Sequence, residues 1–157
     1  MTMEKALFAA GCFWCVQDFY NSVPGVTHTE VGYTGGYTDH PTYEQVCTGT
    51  TGHAEVIKIE FNPSITSFEN LLDEFWLLHD PTTLNRQGPD IGTQYRSAIF
   101  YTNENQKKIS ELSKEKMNKN KFKGKIVTEI TKFSVFFPAE EYHQNYNQKI
   151  KKKYGIS

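Results

Sequence analysis

Residues Lys5 to Ala10 form a short, mostly apolar run suited to a buried strand, and from Phe13 the apolar positions Phe13, Val16, Phe19 and Tyr20 recur at helical spacing. The period changes from strand to helix across two residues, Gly11 and Cys12. Similar alternation continues down the chain and points to layered strands and helices.

Cys12 therefore sits where a helix begins. The unpaired N–H groups there carry the positive end of the helix dipole, which favours thiolate over thiol. Cys15 lies one turn on, its Cα expected about 5 to 6 Å from that of Cys12 and so within disulfide reach. The stretch Gly11-Cys12-Phe13-Trp14-Cys15 thus offers an attacking thiol, a resolving thiol and two large aromatics between them.

A chain of 157 residues, 38% hydrophobic and 14% aromatic, has material for one sizeable core, so a single domain over 1–157 is expected, with 151–157 as a polar tail. A formal net charge of -1 supplies no field that would gather nucleic acid or anionic lipid. Three cysteines, an odd number, argue for catalytic or redox use in a reducing compartment rather than for a secreted disulfide scaffold. Leu7 to Cys12 resembles the end of a bacterial lipoprotein signal, but the apolar run before Cys12 is shorter than the roughly 7 residues of an export segment. No run approaches the roughly 18 apolar residues of a membrane span. A soluble, cytoplasmic monomer without cofactor is expected.

In order along the chain, the spacing predicts a turn at Val23-Pro24-Gly25, a strand over 26–33, and an irregular glycine- and tyrosine-rich loop over 32–41. One helical turn over 43–47, a strand over 54–61 and a helix capped by Thr66 with Glu69 follow, the helix burying Phe68, Leu71, Leu72, Phe75 and Leu78. Residues 79–94 carry too many breakers for regular structure. A strand over 95–101 precedes a lysine-rich helix opened by Asn103 and Gln106, with Ile109, Leu112 and Met117 apolar. Residues 126–130 and 133–137 read as β, and 139–150 as a last helix. The fold class is α+β, a two-layer sandwich with βαββαβ order and long functional loops.

Phe13 and Trp14 can either wall an apolar pocket beside the thiol or pack the core, and their adjacency to Cys12 favours the pocket. Glu55 at a strand start and Asp90 in the breaker-rich loop are the candidate acids, because a carboxyl set among aromatics is desolvated and stays protonated near neutrality. Tyr43 and Tyr95 can add hydroxyl donors. Two other readings use the same residues: a thioredoxin-like disulfide oxidoreductase built on Cys12 and Cys15, and a zinc site of Cys12, Cys15, Cys47 and His53. Outside that zinc site, Cys47 reads as a buried small hydrophobe.

Gly11-Cys12-Phe13-Trp14 resembles the signature of peptide methionine sulfoxide reductase type A. Pro41-Thr42-Tyr43, Thr51 to Glu55, His79-Asp80-Pro81, Gly92 to Ser97 and Ala139 to Gln144 resemble further blocks of that family in the same order. The resemblance implies a ferredoxin-like two-layer fold and reduction of the S epimer of methionine sulfoxide, free or in proteins. It further implies that Cys12 attacks sulfur, Phe13 and Trp14 hold the S-methyl group, Glu55 protonates the oxygen, Tyr43 and Tyr95 hydrogen-bond it, and Asp90 orients the site. Thioredoxin is the implied reductant. Many members carry Gly after Phe-Trp and recycle through C-terminal cysteines. Here Cys15 replaces that Gly and becomes the resolving thiol, with Cys47 or an external thiol as alternatives.

Overall fold

A computed structural model describes residues 3–155. Its elements are β1 (Glu4–Ala10), α1 (Phe13–Asn21), β2 (Val26–Thr34), α2 (Tyr43–Cys47), β3 (Ala54–Phe61), α3 (Phe68–Leu78), β4 (Arg86–Gln87), β5 (Asp90–Ile91), β6 (Ser97–Tyr101), α4 (Glu104–Met117), β7 (Glu129–Lys132), β8 (Phe137–Pro138) and α5 (Tyr146–Lys153). One sheet runs in the order β7-β6-β1-β3-β2-β8, and β4 with β5 makes a separate small hairpin. Within the sheet β6, β1, β3 and β2 are antiparallel neighbours, which is the ferredoxin-like arrangement of the expected βαββαβ order.

The apolar run of β1 is continuous because both faces of the strand are covered. Ala6, Phe8 and Ala10 meet α1 and α3, whereas Leu7 and Ala9 face a smaller cluster closed by Phe133 and Phe136. That second face explains why 133–136 is not a strand: the segment lies across the sheet as a cover. Only Phe137 and Pro138 pair, against Tyr33 and Gly32. Gly32 thus belongs to β2 rather than to a loop. Its missing side chain makes room for the ring of Phe136, which a Cβ would meet at 2.6 Å. Pro138 is tolerated because β8 is an edge strand.

Other boundaries also shift. Ser67, not Thr66, caps α3, its hydroxyl accepting from Asn70 N–H at 3.1 Å. Trp76 joins the buried face of that helix. Leu112 of α4 is 57% exposed, because the inward positions of that helix are the polar Gln106 and Ser110. Gln106 bonds the Lys5 carbonyl at 2.7 Å. Tyr95 falls in a 3-10 turn before β6, and residues 79–94 contain the β4–β5 hairpin. The expected 139–150 helix breaks into a 3-10 turn over Glu141–His143 and α5, which begins after Asn145 at φ 55. α5 runs on into the expected polar tail, where Lys151 pairs with Asp18 at 2.9 Å. Ile156 and Ser157 of that tail lie outside the described residues. Among the described residues no helix is long and apolar enough to cross a membrane.

His79, just past α3, donates from Nδ1 to the Phe75 carbonyl and accepts at Nε2 from Ser97 Oγ, both at 2.7 Å. Burial lowers its pKa from 6.5 to about 4. The unfolded chain takes up this proton near pH 6.5 and the native chain only near 4, so stability should fall as pH drops through that window. The stability that wild type holds over His79→Gln, read from urea midpoints of both, should shrink as pH falls from about 6.5 to about 4.

Candidate active site

The junction of β1 and α1 is built around Gly11, whose φ of +89 turns the chain sharply from strand to helix. A Cβ there would also meet Gln87 at 2.7 Å. Cys12 follows as the N-cap of α1, its sulfur beside the backbone N–H groups of Trp14 and Cys15. These donors lower the thiol pKa, as expected at a helix start, but they do not prevail. Burial, reinforced by the charge of Glu55, pushes it up to about 11. In the resting site Cys12 is a thiol.

Glu55 stands at the start of β3, opposite Tyr33 of β2, and is 2% exposed. Its Oε1 accepts from Phe13 N–H at 3.1 Å, so the first turn of α1 is tied to β3 and the carboxyl is held beside the thiol. Burial raises its pKa to about 8, the Phe13 N–H lowering it and the charge of Asp90 raising it. The carboxyl is therefore mainly protonated at neutral pH.

Phe13 packs in the core, and its ring also faces Tyr43 at 6.4 Å and His143 at 5.3 Å. Trp14 is half-buried and stacks on Tyr146 at 3.9 Å between ring centres. The two aromatics thus divide the alternatives: Phe13 serves core and wall together, and Trp14 is mainly wall. Tyr43 opens α2 behind a Thr42–Gln45 capping box. Tyr95 rides on the 3-10 turn of Thr93–Tyr95, and Asp90 on β5. Burial foremost raises the Tyr43 and Tyr95 hydroxyls, so both remain donors at neutral pH.

Three participants come from the C-terminal segment and received no role from the sequence. His143 is fully buried and accepts at Nδ1 from Trp14 Nε1–H at 2.9 Å. Burial lowers its pKa, in keeping with the neutral ring that this bond needs. Glu140 accepts from Tyr33 Oη–H at 3.0 Å and from Tyr43 N–H at 2.9 Å. Tyr146 backs Trp14. The signal available was the block Ala139 to Gln144, quoted for its resemblance alone.

Cys15 is exposed, one turn from Cys12, and its sulfur accepts from Asn147 Nδ2 at 3.7 Å. Cys47 is exposed rather than buried, because it ends the short helix α2 at the rim. The zinc reading fails at His53, whose Nδ1 accepts from Gly36 N–H at 3.1 Å and whose Nε2 bonds the Thr38 carbonyl at 2.7 Å. Among the described residues no cluster of three or more His, Cys, Asp or Glu is placed to hold a metal.

Comparison with known proteins accords with this constellation. Residues 4–156 match the family model of peptide methionine sulfoxide reductase. A Methanosarcina acetivorans protein described as peptide methionine sulfoxide reductase MsrA is 57% identical over 148 residues, covering 94% of this chain and 79% of that protein. The structure of Mxr1 from Saccharomyces cerevisiae in reduced form has a TM-score of 0.87 at 38% identity, over 94% of this chain and 85% of that one. Mxr1 in complex with Trx2 has a TM-score of 0.65 at 25% identity, over 92% and 84%.

Glu140→Ala leaves the Tyr33 hydroxyl and the Tyr43 N–H without their acceptor, a loss expected to cost roughly 1 to 3 kcal/mol. Urea unfolding should show it, and Glu140→Gln, which keeps one oxygen, should recover part of the loss.

Proposed function

The chain belongs to the peptide methionine sulfoxide reductase family, and on that premise we propose which of its residues carry the reduction of methionine S-sulfoxide, free or in proteins. The observation that supports the assignment is the buried, protonated carboxyl of Glu55 fixed beside the N-cap thiol of Cys12. Cys12 attacks the sulfoxide sulfur while Glu55 donates a proton to the oxygen, and Tyr43 and Tyr95 hydrogen-bond that oxygen as charge develops on it. Phe13 and Trp14 hold the S-methyl group, and Asp90 orients the site.

The substrate sulfur gains two electrons and leaves as methionine. Cys12 loses two and becomes a sulfenic acid, and the proton it gives up replaces the one Glu55 donated. The Cys15 thiol then condenses with the sulfenic acid, releasing water and forming a Cys12–Cys15 disulfide. Thioredoxin returns the two electrons, as the thioredoxin complex of Mxr1 suggests. The chain acts as a single-domain monomer in the cytoplasm, in keeping with three free cysteines.

The disulfide oxidoreductase reading needs neither a protonated carboxyl nor an aromatic wall, and this site has both. Resolved R and S methionine sulfoxide with dithiothreitol test reaction and epimer choice together. Cys12→Ser should abolish product even in a single turnover, and any yield above background would overturn the nucleophile. Glu55→Gln should slow the chemical step by roughly 10²-fold or more. Cys15→Ser should spare the first turnover but lose most thioredoxin-driven cycling. Full cycling in that variant would move the resolving role to Cys47 or to an external thiol.

A further inference from the structure

Cys12 and Cys15 line a cleft of about 490 Å³, walled by Phe19 of α1, by Leu77 and Leu78 at the end of α3, and by Pro89 at the hairpin tip. Asp90 borders it, but Phe13, Trp14, Tyr43, Glu55 and Tyr95 do not. The nucleophile thus has two sides. One carries the aromatic wall and the proton donors that a sulfoxide requires, and the other is a mostly apolar trough containing both sulfurs of the proposed disulfide. Leu77, at 64% exposure, stands outside the packed core and is free to meet another protein.

We infer that this cleft is the docking surface of the dithiol protein that reduces the enzyme, and that its thiolate attacks Cys15. The inference rests on the Cys12–Cys15 disulfide proposed above. Thiol–disulfide exchange depends on access to the sulfur attacked. Cys15 is exposed, whereas Cys12 is partly buried and covered on its other side by the substrate wall. Attack on Cys15 breaks the Cys12–Cys15 bond and joins the reductant to Cys15. Cys12 leaves as a thiolate facing the Trp14 and Cys15 N–H groups and then takes a proton from solvent. The second thiol of the reductant attacks its own bridged sulfur, frees Cys15 and completes the two-electron transfer. Phe19, Leu77 and Pro89 give a protein reductant apolar area that a small thiol does not use.

The test starts from enzyme oxidised with one equivalent of methionine S-sulfoxide and mixed with thioredoxin whose second active-site cysteine is replaced by serine. Mass mapping should find the trapped thioredoxin on Cys15. A Cys12–Cys15 bridge present with the trap on Cys12 overturns the inference alone, while absence of that bridge overturns the recycling scheme and the inference together. Leu77→Asp should raise the KM for thioredoxin by roughly tenfold, the effect of losing one well-buried interface side chain. It should leave dithiothreitol-driven turnover unchanged. An unaltered KM for thioredoxin would overturn the docking surface. A raised KM for a sulfoxide-containing peptide under dithiothreitol would instead assign the cleft to residues flanking the substrate.

Discussion

The hydrogen bond from Phe13 N–H to the buried carboxyl of Glu55 is the contact on which the rest of the site depends. It joins the first turn of α1 to the start of β3 and brings an acid and a thiol together from positions 43 residues apart. Enclosure then acts on both. It keeps a proton on Glu55 near neutrality and also on Cys12, where the helix N–H groups alone would have favoured the thiolate. Backbone N–H groups lower both pKa values and a nearby like charge raises each, but desolvation is the larger effect on each group.

Around this pair the structure spends its C-terminal segment on support. Gln144 bonds both the N–H and the carbonyl of Val31, which seats the segment along the edge of β2. From there Glu140 reaches Tyr33 and the start of α2, and His143 reaches the indole of Trp14. A short stretch of chain thereby sets the aromatic wall and the helix that carries Tyr43. Side chains held in this way lose little freedom when a substrate arrives, which is the condition for a positioned catalytic group.

The same segment continues into α5, which docks on α1 through Asn145, Asn147 and Lys151. The helix bearing Cys12 and Cys15 is thus held at its start by Glu55 and along its length by α5. That leaves Cys15 exposed at one face, beside an uncovered trough that Leu77 borders.

The amino-acid sequence by itself determined the βαββαβ order and the strand-to-helix junction at Cys12, and it narrowed the candidate acids to Glu55 and Asp90, because periodicity and local turn chemistry are properties of neighbouring residues. The family resemblance supplied the roles proposed for Glu55, Tyr43, Tyr95 and Asp90. Tertiary structure alone decided what depends on enclosure and distant contact. The thiol is protonated because the folded chain encloses it. Cys47 is exposed because α2 ends at the rim. Residues 133–136 are a cover because β1 has two faces to bury, and α5 runs on into the tail, where Lys151 finds Asp18 on α1. Glu140, His143 and Tyr146 were out of reach for the same reason: a spacing of about a hundred residues or more carries no periodic signal, and only the folded chain places them against Trp14 and Tyr43.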